Sequence, residues 1–198
     1  SYGFSEFSRY DAVDNMVSSG FRPNMITWIP GMKKRRLIVV THLDIVPPGP
    51  LEDWKSDPFT PVIKNGRIYG RGSEDNGQSL TACVFAAKLL MDLNIQPKYT
   101  LGLAMLSDEE ADSEMGIKHL IREGVFQKDD LILVPDHGTP DGRLVEICEK
   151  SIAWIKICVK GQQCHASMPD LGVNAHRASQ RFGSSVDKAL SKTFDKRD

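Results

Sequence analysis

Arg36-Leu-Ile-Val-Val-Thr-His42 is the stretch whose reading decides the fold, because its unbroken aliphatic centre matches a strand buried on both faces of a parallel sheet. Working outward, comparable runs stand at Thr100-Leu-Gly-Leu-Ala-Met-Leu-Ser107 and at Leu131-Ile-Leu-Val-Pro135. Between the first two, residues 79–93 set Leu80, Val84, Ala87 and Met91 at helical spacing, and Cys83 and Leu90 widen that apolar face. Between the second and third, residues 113–123 carry Met115, Ile117, Leu120 and Ile121, with Gly124 as a stop signal. Strand, helix, strand, helix, strand implies crossover connections and a mainly parallel α/β sheet, whose ligands gather outside the carboxyl ends of the strands. The three runs lead into His42-Leu-Asp44, Asp108-Glu-Glu110 and Asp136-His137, so ionisable groups fall where this architecture places chemistry.

The 198 residues are 40% hydrophobic and 26% charged, enough apolar content to bury a sizeable core. Lys and Arg total 25 against 26 Asp and Glu, so no global charge draws the chain to nucleic acid or to a membrane surface. No apolar run approaches the roughly 20 residues that span a bilayer. Four cysteines without a Cys-x-x-Cys pair, and no signal-like leader, point to a reducing cytoplasm. Cys164-His165 lacks the spaced partners of a structural zinc site. The basic run Lys33-Lys-Arg-Arg36 reads as a solvated loop.

Residues 1–150 are expected to form one domain and 151–198 the start of a second, smaller one. There, residues 152–160 alternate like an antiparallel strand, and Phe182, Val186, Ala189 and Leu190 share a face of a later helix.

Ser107-Asp-Glu-Glu-Ala-Asp-Ser-Glu114 packs five carboxylates into seven positions. Asp112 and Glu114 read as solvated acids opening a helix. Glu109 and Glu110 end a buried strand, where crowding of like charge raises a pKa unless a cation neutralises it. His42 and Asp44, two apart on an extended segment, leave the same face, so a carboxylate there reaches the ring of a metal-bound imidazole. Asp75 lies in the glycine-rich turn Gly70-Arg-Gly-Ser-Glu-Asp-Asn-Gly77 and by itself reads either as a ligand or as a helix cap. Dinucleotide fingerprint, phosphate loop and serine nucleophile elbow are all missing.

Taken in order, Thr41-His-Leu-Asp44, Trp54-x-x-Asp-Pro-Phe-x-Pro61, Gly66-x-x-Tyr-Gly-Arg-Gly-x-x-Asp75, Asp108-Glu-Glu110, Asp136 and Gly161-x-x-x-His165-x-x-x-Pro169-x-x-Gly172-x-Asn-Ala175 resemble the dinuclear metallohydrolases that include acetylornithine deacetylase, succinyl-diaminopimelate desuccinylase, aminoacylase and glutamate carboxypeptidase. The resemblance implies a three-layer sheet of the zinc-exopeptidase type with an α+β lid or dimerisation domain. It implies two divalent ions, zinc by default with cobalt or manganese admitted: Asp75 bridges them, His42 and Asp136 complete one site, and Glu110 belongs to the other. Glu109 is then the general base, Asp44 orients His42, and His165 stabilises the oxyanion from the lid, although alone it reads equally as a loop histidine.

The implied reaction is hydrolysis of the amide bond of an N-acyl amino acid or small peptide, with a homodimer through the lid. Carboxypeptidase and dipeptidase activities and a catalytically silent metal-binding module stay open. Two departures accompany the likeness. A further His ligand belongs beyond Asp198, so the lid is expected to be truncated here, and Asn76-Gly-Gln78 replaces the Met-Lys-Gly-like sequence that often follows the bridging Asp.

Overall fold

Short strands β1 (Ser8–Arg9), β2 (Ala12–Val13), β3 (Phe21–Arg22) and β4 (Met25–Ile29) lead into β5 (Lys33–His42), the strand seeded by the aliphatic run. A hairpin of β6 (Val62–Lys64) and β7 (Arg67–Tyr69) precedes helix α1 (Gly77–Asp92), then β8 (Tyr99–Leu106), helix α2 (Ile117–Arg122), β9 (Leu131–Leu133) and a long helix α3 (Ala175–Phe194). This computed structural model describes every residue except 1, 2, 5, 140, 149–153 and 195–198, together with the side chain of Phe194. The chain divides into two units, Ser1–Ile147 and Cys148–Asp198.

In the first unit five strands pair in the order β1-β4-β8-β5-β9. β5 runs parallel to β8 and to β9, as the three aliphatic runs imply, so their carboxyl ends share one edge. β4 and β1 extend the sheet antiparallel on the side of β8, a margin that the sequence reading did not anticipate. Alternation along the central strands sorts the core into two layers. Ile38, Val40, Ala104 and Leu106 face Leu120 of α2, whereas Val39 and Leu103 face Ala87 of α1, backed by Cys83, Val84 and Met91. A helix on each face of one sheet is the three-layer arrangement expected.

Gly102 is required by packing: a Cβ there would lie 2.7 Å from the Trp28 ring across the β4–β8 ladder. The hairpin turns on Asn65 and Gly66, both at positive φ, as a two-residue turn of the type favoured between twisted strands demands.

Three expectations need correction. The basic run is not a loop but the start of β5, where Lys33 and Arg36 pair with Tyr99 and Thr100 across a register shift. The second crossover helix begins at Ile117 rather than near 113, because Asp112 and Ser113 take positive φ and a right-handed helix cannot pass through them. In the second unit, Ile152 and Ala153 lie outside the described residues, and Trp154 to Lys160 forms no strand. A strand needs a ladder partner, and the bridge in this unit joins Gln162 to Val173 instead. Ile157 and Val159 do share an apolar groove with Phe182, Val186 and Leu190 of α3, the helical face expected.

Arg36 has a structural task. Its Nε donates to Asp130 Oδ1 over 2.8 Å, Nη2 donates to the Val125 carbonyl over 2.9 Å, and the guanidinium lies over the Trp28 ring. The Asp130 side chain is 3% exposed and that of Arg36 16%. Burial pushes the Asp130 carboxyl up, but hydrogen bonds from Arg36 and the Gln127 amide outweigh it and hold the pKa below its ordinary value. A carboxyl lowered on folding adds stability that is present above its unfolded pKa of about 3.9 and is lost as pH falls through the folded value. Asp130→Asn strands a buried guanidinium and should cost about 3 kcal/mol at neutral pH. Urea unfolding at pH 7 and pH 3 checks both, with the gap between variant and parent narrowing on the acid side.

Candidate metal centre

The chemistry-bearing side chains meet at the shared carboxyl edge of β5, β8 and β9. His42 closes β5 and is 5% exposed. Its Nδ1 lies 3.0 Å from the main-chain carbonyl of Asp44, which makes Nδ1 the protonated nitrogen of a neutral ring. Nε2 then carries the lone pair, yet it lies 2.9 Å from Asp75 Oδ1 and 3.4 Å from Asp136 Oδ1. Acceptor facing two anionic acceptors is repulsive without a proton or a cation between them.

One ligand atom from each of His42, Asp75 and Asp136 falls within 4.8 Å of the others, and His42, Glu109 and Glu110 satisfy the same condition. Imidazole with carboxylates is a donor set that zinc, cobalt and manganese accept. Glu110 adds an independent sign of fit, since its Oε1 is buried without a hydrogen-bond partner.

The acidic turn is clamped from several directions. Glu109–Ala111 forms a single 3-10 turn bracketed by Asp108, Asp112 and Ser113, all three at positive φ. Left-handed backbone at non-glycine residues is costly and persists only where its surroundings impose it. Asp44 supplies part of that constraint: its carboxylate accepts from the Glu109 amide at 3.1 Å and the Glu110 amide at 3.0 Å. The carboxylate itself stays 3.6 Å from the His42 ring, so Asp44 touches His42 mainly through its carbonyl and grips the turn with its side chain.

Asn24, wholly buried, accepts from the Ser107 amide at 3.0 Å and donates to the carbonyls of Tyr10 (3.0 Å) and Met115 (2.8 Å). Arg22 ion-pairs with both Asp14 and Asp108. Gly116 completes the clamp, because a Cβ there would lie 2.0 Å from the Ser107 carbonyl oxygen. The sequence reading missed Asn24 and Arg22, as a lone polar residue beside Pro23 carries no periodic signal.

Burial and charge crowding shift the pKa values of the cluster. Burial is the largest cause raising the Glu109 pKa, with Asp136, Glu110 and Asp44 adding to it against the pull of His42. Glu110 is raised likewise, by burial and then by Asp75. Burial lowers the His42 pKa, but the Asp44 carbonyl and the charges of Asp136, Glu109 and Asp44 together raise it. Beside the cluster, His42, Asn76, Glu109 and Asp136 border a pocket whose wall is the apolar surface of Leu106, Ile117 and Val134.

His165 belongs to the second unit, where its Nδ1 lies 2.8 Å from Ser167 Oγ on an exposed turn. Within the first unit the structure brings His42, Asp44, Asp75, Glu109, Glu110 and Asp136 together.

Fold and cluster define the class: an α/β protein with an imidazole–carboxylate centre at the carboxyl ends of its parallel strands. The sequence model of Peptidase family M20/M25/M40 matches residues 38–195. An uncharacterized metallohydrolase of Methanocaldococcus jannaschii is 45% identical over 177 residues, which is 88% of this chain and 43% of that protein. A succinyl-diaminopimelate desuccinylase of Stenotrophomonas maltophilia is 35% identical over 150 residues, 72% of this chain and 40% of that protein. Among solved structures, an M20 family metallo-carboxypeptidase from Sulfolobus solfataricus superposes with a TM-score of 0.54 at 30% identity, over 67% of this chain and 30% of that one. This chain is therefore a member of the peptidase family M20/M25/M40, and it spans less than half the length of these relatives.

Proposed function

We propose that this chain carries the metal-binding part of an amide hydrolase acting on N-acyl amino acids or small peptides, in the manner of a deacetylase or desuccinylase. The convergence of His42, Asp75 and Asp136 within 4.8 Å of one another carries the reading. It is supported by family membership and by a relative named as a desuccinylase. Carboxypeptidase action is the second reading, favoured by the likeness to the Sulfolobus solfataricus metallo-carboxypeptidase.

His42, Asp75 and Asp136 would hold one divalent ion, and Asp75 and Glu110 would contribute to a second. Such ions, zinc by preference, supply Lewis-acid polarisation of the scissile carbonyl and a nucleophilic water near neutral pH. Glu109 takes a proton from the attacking water and delivers it to the leaving amine, a role that a raised pKa suits because it brings the base nearer the working pH. Asp44 keeps the Glu109–Glu110 backbone and the His42 ring in place. His165 is assigned to oxyanion stabilisation, and the second unit to a lid through which two copies pair.

Free Cys83, Cys148, Cys158 and Cys164 are consistent with a cytoplasmic setting, and no helix among the described residues is long and apolar enough to cross a membrane. A panel of N-succinyl, N-acetyl and dipeptide substrates, offered to chelated protein with and without added zinc, tests the proposal. Metal-restored release of the amine is expected for at least one class. Bound metal without hydrolysis of any substrate would instead mark a silent binding module.

A further inference from the structure

Asn76 stands between the ligand Asp75 and the first turn of α1, at the position where an Asn ordinarily caps a helix by accepting from a backbone N–H. It makes no such cap. The side chain, 3% exposed, is turned away so that Nδ2 donates to Asp136 Oδ1 over 2.6 Å. Its own Oδ1 is left buried with no partner. The amide orientation follows from charge, because the flipped form would set an acceptor against a carboxylate. The fold thus forgoes a helix cap and tolerates an orphaned acceptor for the sake of one short bond to Asp136.

A bond of that kind makes sense where the orientation of the accepting carboxylate matters. Asp136 follows β9, an edge strand that pairs on one side only, and its side chain is 34% exposed, so the strand alone does not fix its rotamer. We propose that Asn76 is a positioning residue that fixes Asp136 for metal ligation, an inference that rests on reading His42, Asp75 and Asp136 as a metal site. Outer hydrogen bonds of this type orient ligating carboxylates, and their loss typically weakens metal affinity about 10–100-fold. Asn76-Gly-Gln78, otherwise only a departure from the related pattern, acquires a use in this way.

Asn76→Leu keeps the branched outline and the number of heavy atoms, at somewhat greater bulk, and removes both polar atoms. Zinc affinity of the chelated protein, measured by competition with a chromophoric chelator, should fall about tenfold or more. The melting temperature of the metal-free variant should equal or exceed that of the parent, because the orphaned acceptor is gone. Asn76→Ala repeats the measurement with a smaller side chain should Leu fail to fold.

Unchanged zinc affinity in these variants, or a loss matched by a drop in metal-free melting temperature, would overturn the positioning role while leaving the metal site standing. His42→Ala separates the two claims. If it too binds zinc like the parent, the metal reading itself is wrong and the role of Asn76 goes with it.

Discussion

Glu109→Gln is expected to lower kcat by about 10²–10⁴-fold while zinc affinity stays within a few-fold of the parent. The substitution removes the proton acceptor and keeps the shape, and Glu109 is not needed to close the set formed by His42, Asp75 and Asp136. An interaction made chiefly in the transition state should lower kcat and kcat/KM together, leaving KM near its starting value. Steady-state kinetics on the best substrate of the panel, paired with zinc quantitation, separate a lost base from a lost metal. Near-parental kcat would remove Glu109 from the role of base.

The same cluster predicts how metal and pH act on stability. The folded pKa values of Glu109, Glu110 and His42 are raised, so their contribution is fully present below the unfolded values of about 4.3 and 6.5 and is lost as pH climbs through the folded ones. Above their folded pKa values the ionised, metal-free Glu109 and Glu110 work against folding, and a cation that neutralises them stabilises the chain by mass action.

Asn24→Ala should produce a large loss of stability in the first unit. The truncation orphans the Ser107 amide and the carbonyls of Tyr10 and Met115, all of which now use Asn24. An unsatisfied buried group costs about 1–3 kcal/mol, so a total of roughly 3 kcal/mol or more is expected from urea unfolding. The effect reaches the candidate metal centre, because Ser107 immediately precedes the left-handed Asp108 that starts the Glu109–Ala111 turn. Zinc affinity should fall alongside stability, a coupled loss that sets Asn24 apart from Asn76. A loss below about 1 kcal/mol would mean that the turn holds its shape without this pin.

These contrasts show what a sequence makes legible. β5 and β8 are readable because burial on both faces leaves continuous aliphatic runs, β9 because Leu131-Ile-Leu133 has the same composition even though Ile132 and Leu133 stay half exposed, and α1 because Leu80, Val84, Ala87 and Met91 repeat at helical period. The site is legible through the fold, since residues placed after parallel strands converge on one edge. β1 to β3 escape notice because two-residue strands such as Ser8–Arg9 have no periodicity and exist only through their pairing with other segments, and β4, five residues long, has too short a run to stand out. The late start of α2 is equally hidden: Asp112 and Ser113 take positive φ in a turn closed by the Ser113 amide donating to the Asp108 carbonyl, which composition does not signal. Asn24, Arg22 and Asn76 are polar residues whose meaning lies wholly in what they touch across the fold.

Whether His42, Asp75 and Asp136 form a metal site is decided by calorimetric titration of chelated protein with zinc. Tight binding that His42→Ala and Asp136→Ala each weaken at least tenfold is the predicted result, with a second ion engaging Asp75 and Glu110. Equal affinity in parent and both variants, or no binding by the parent, would mean that these three residues hold no metal.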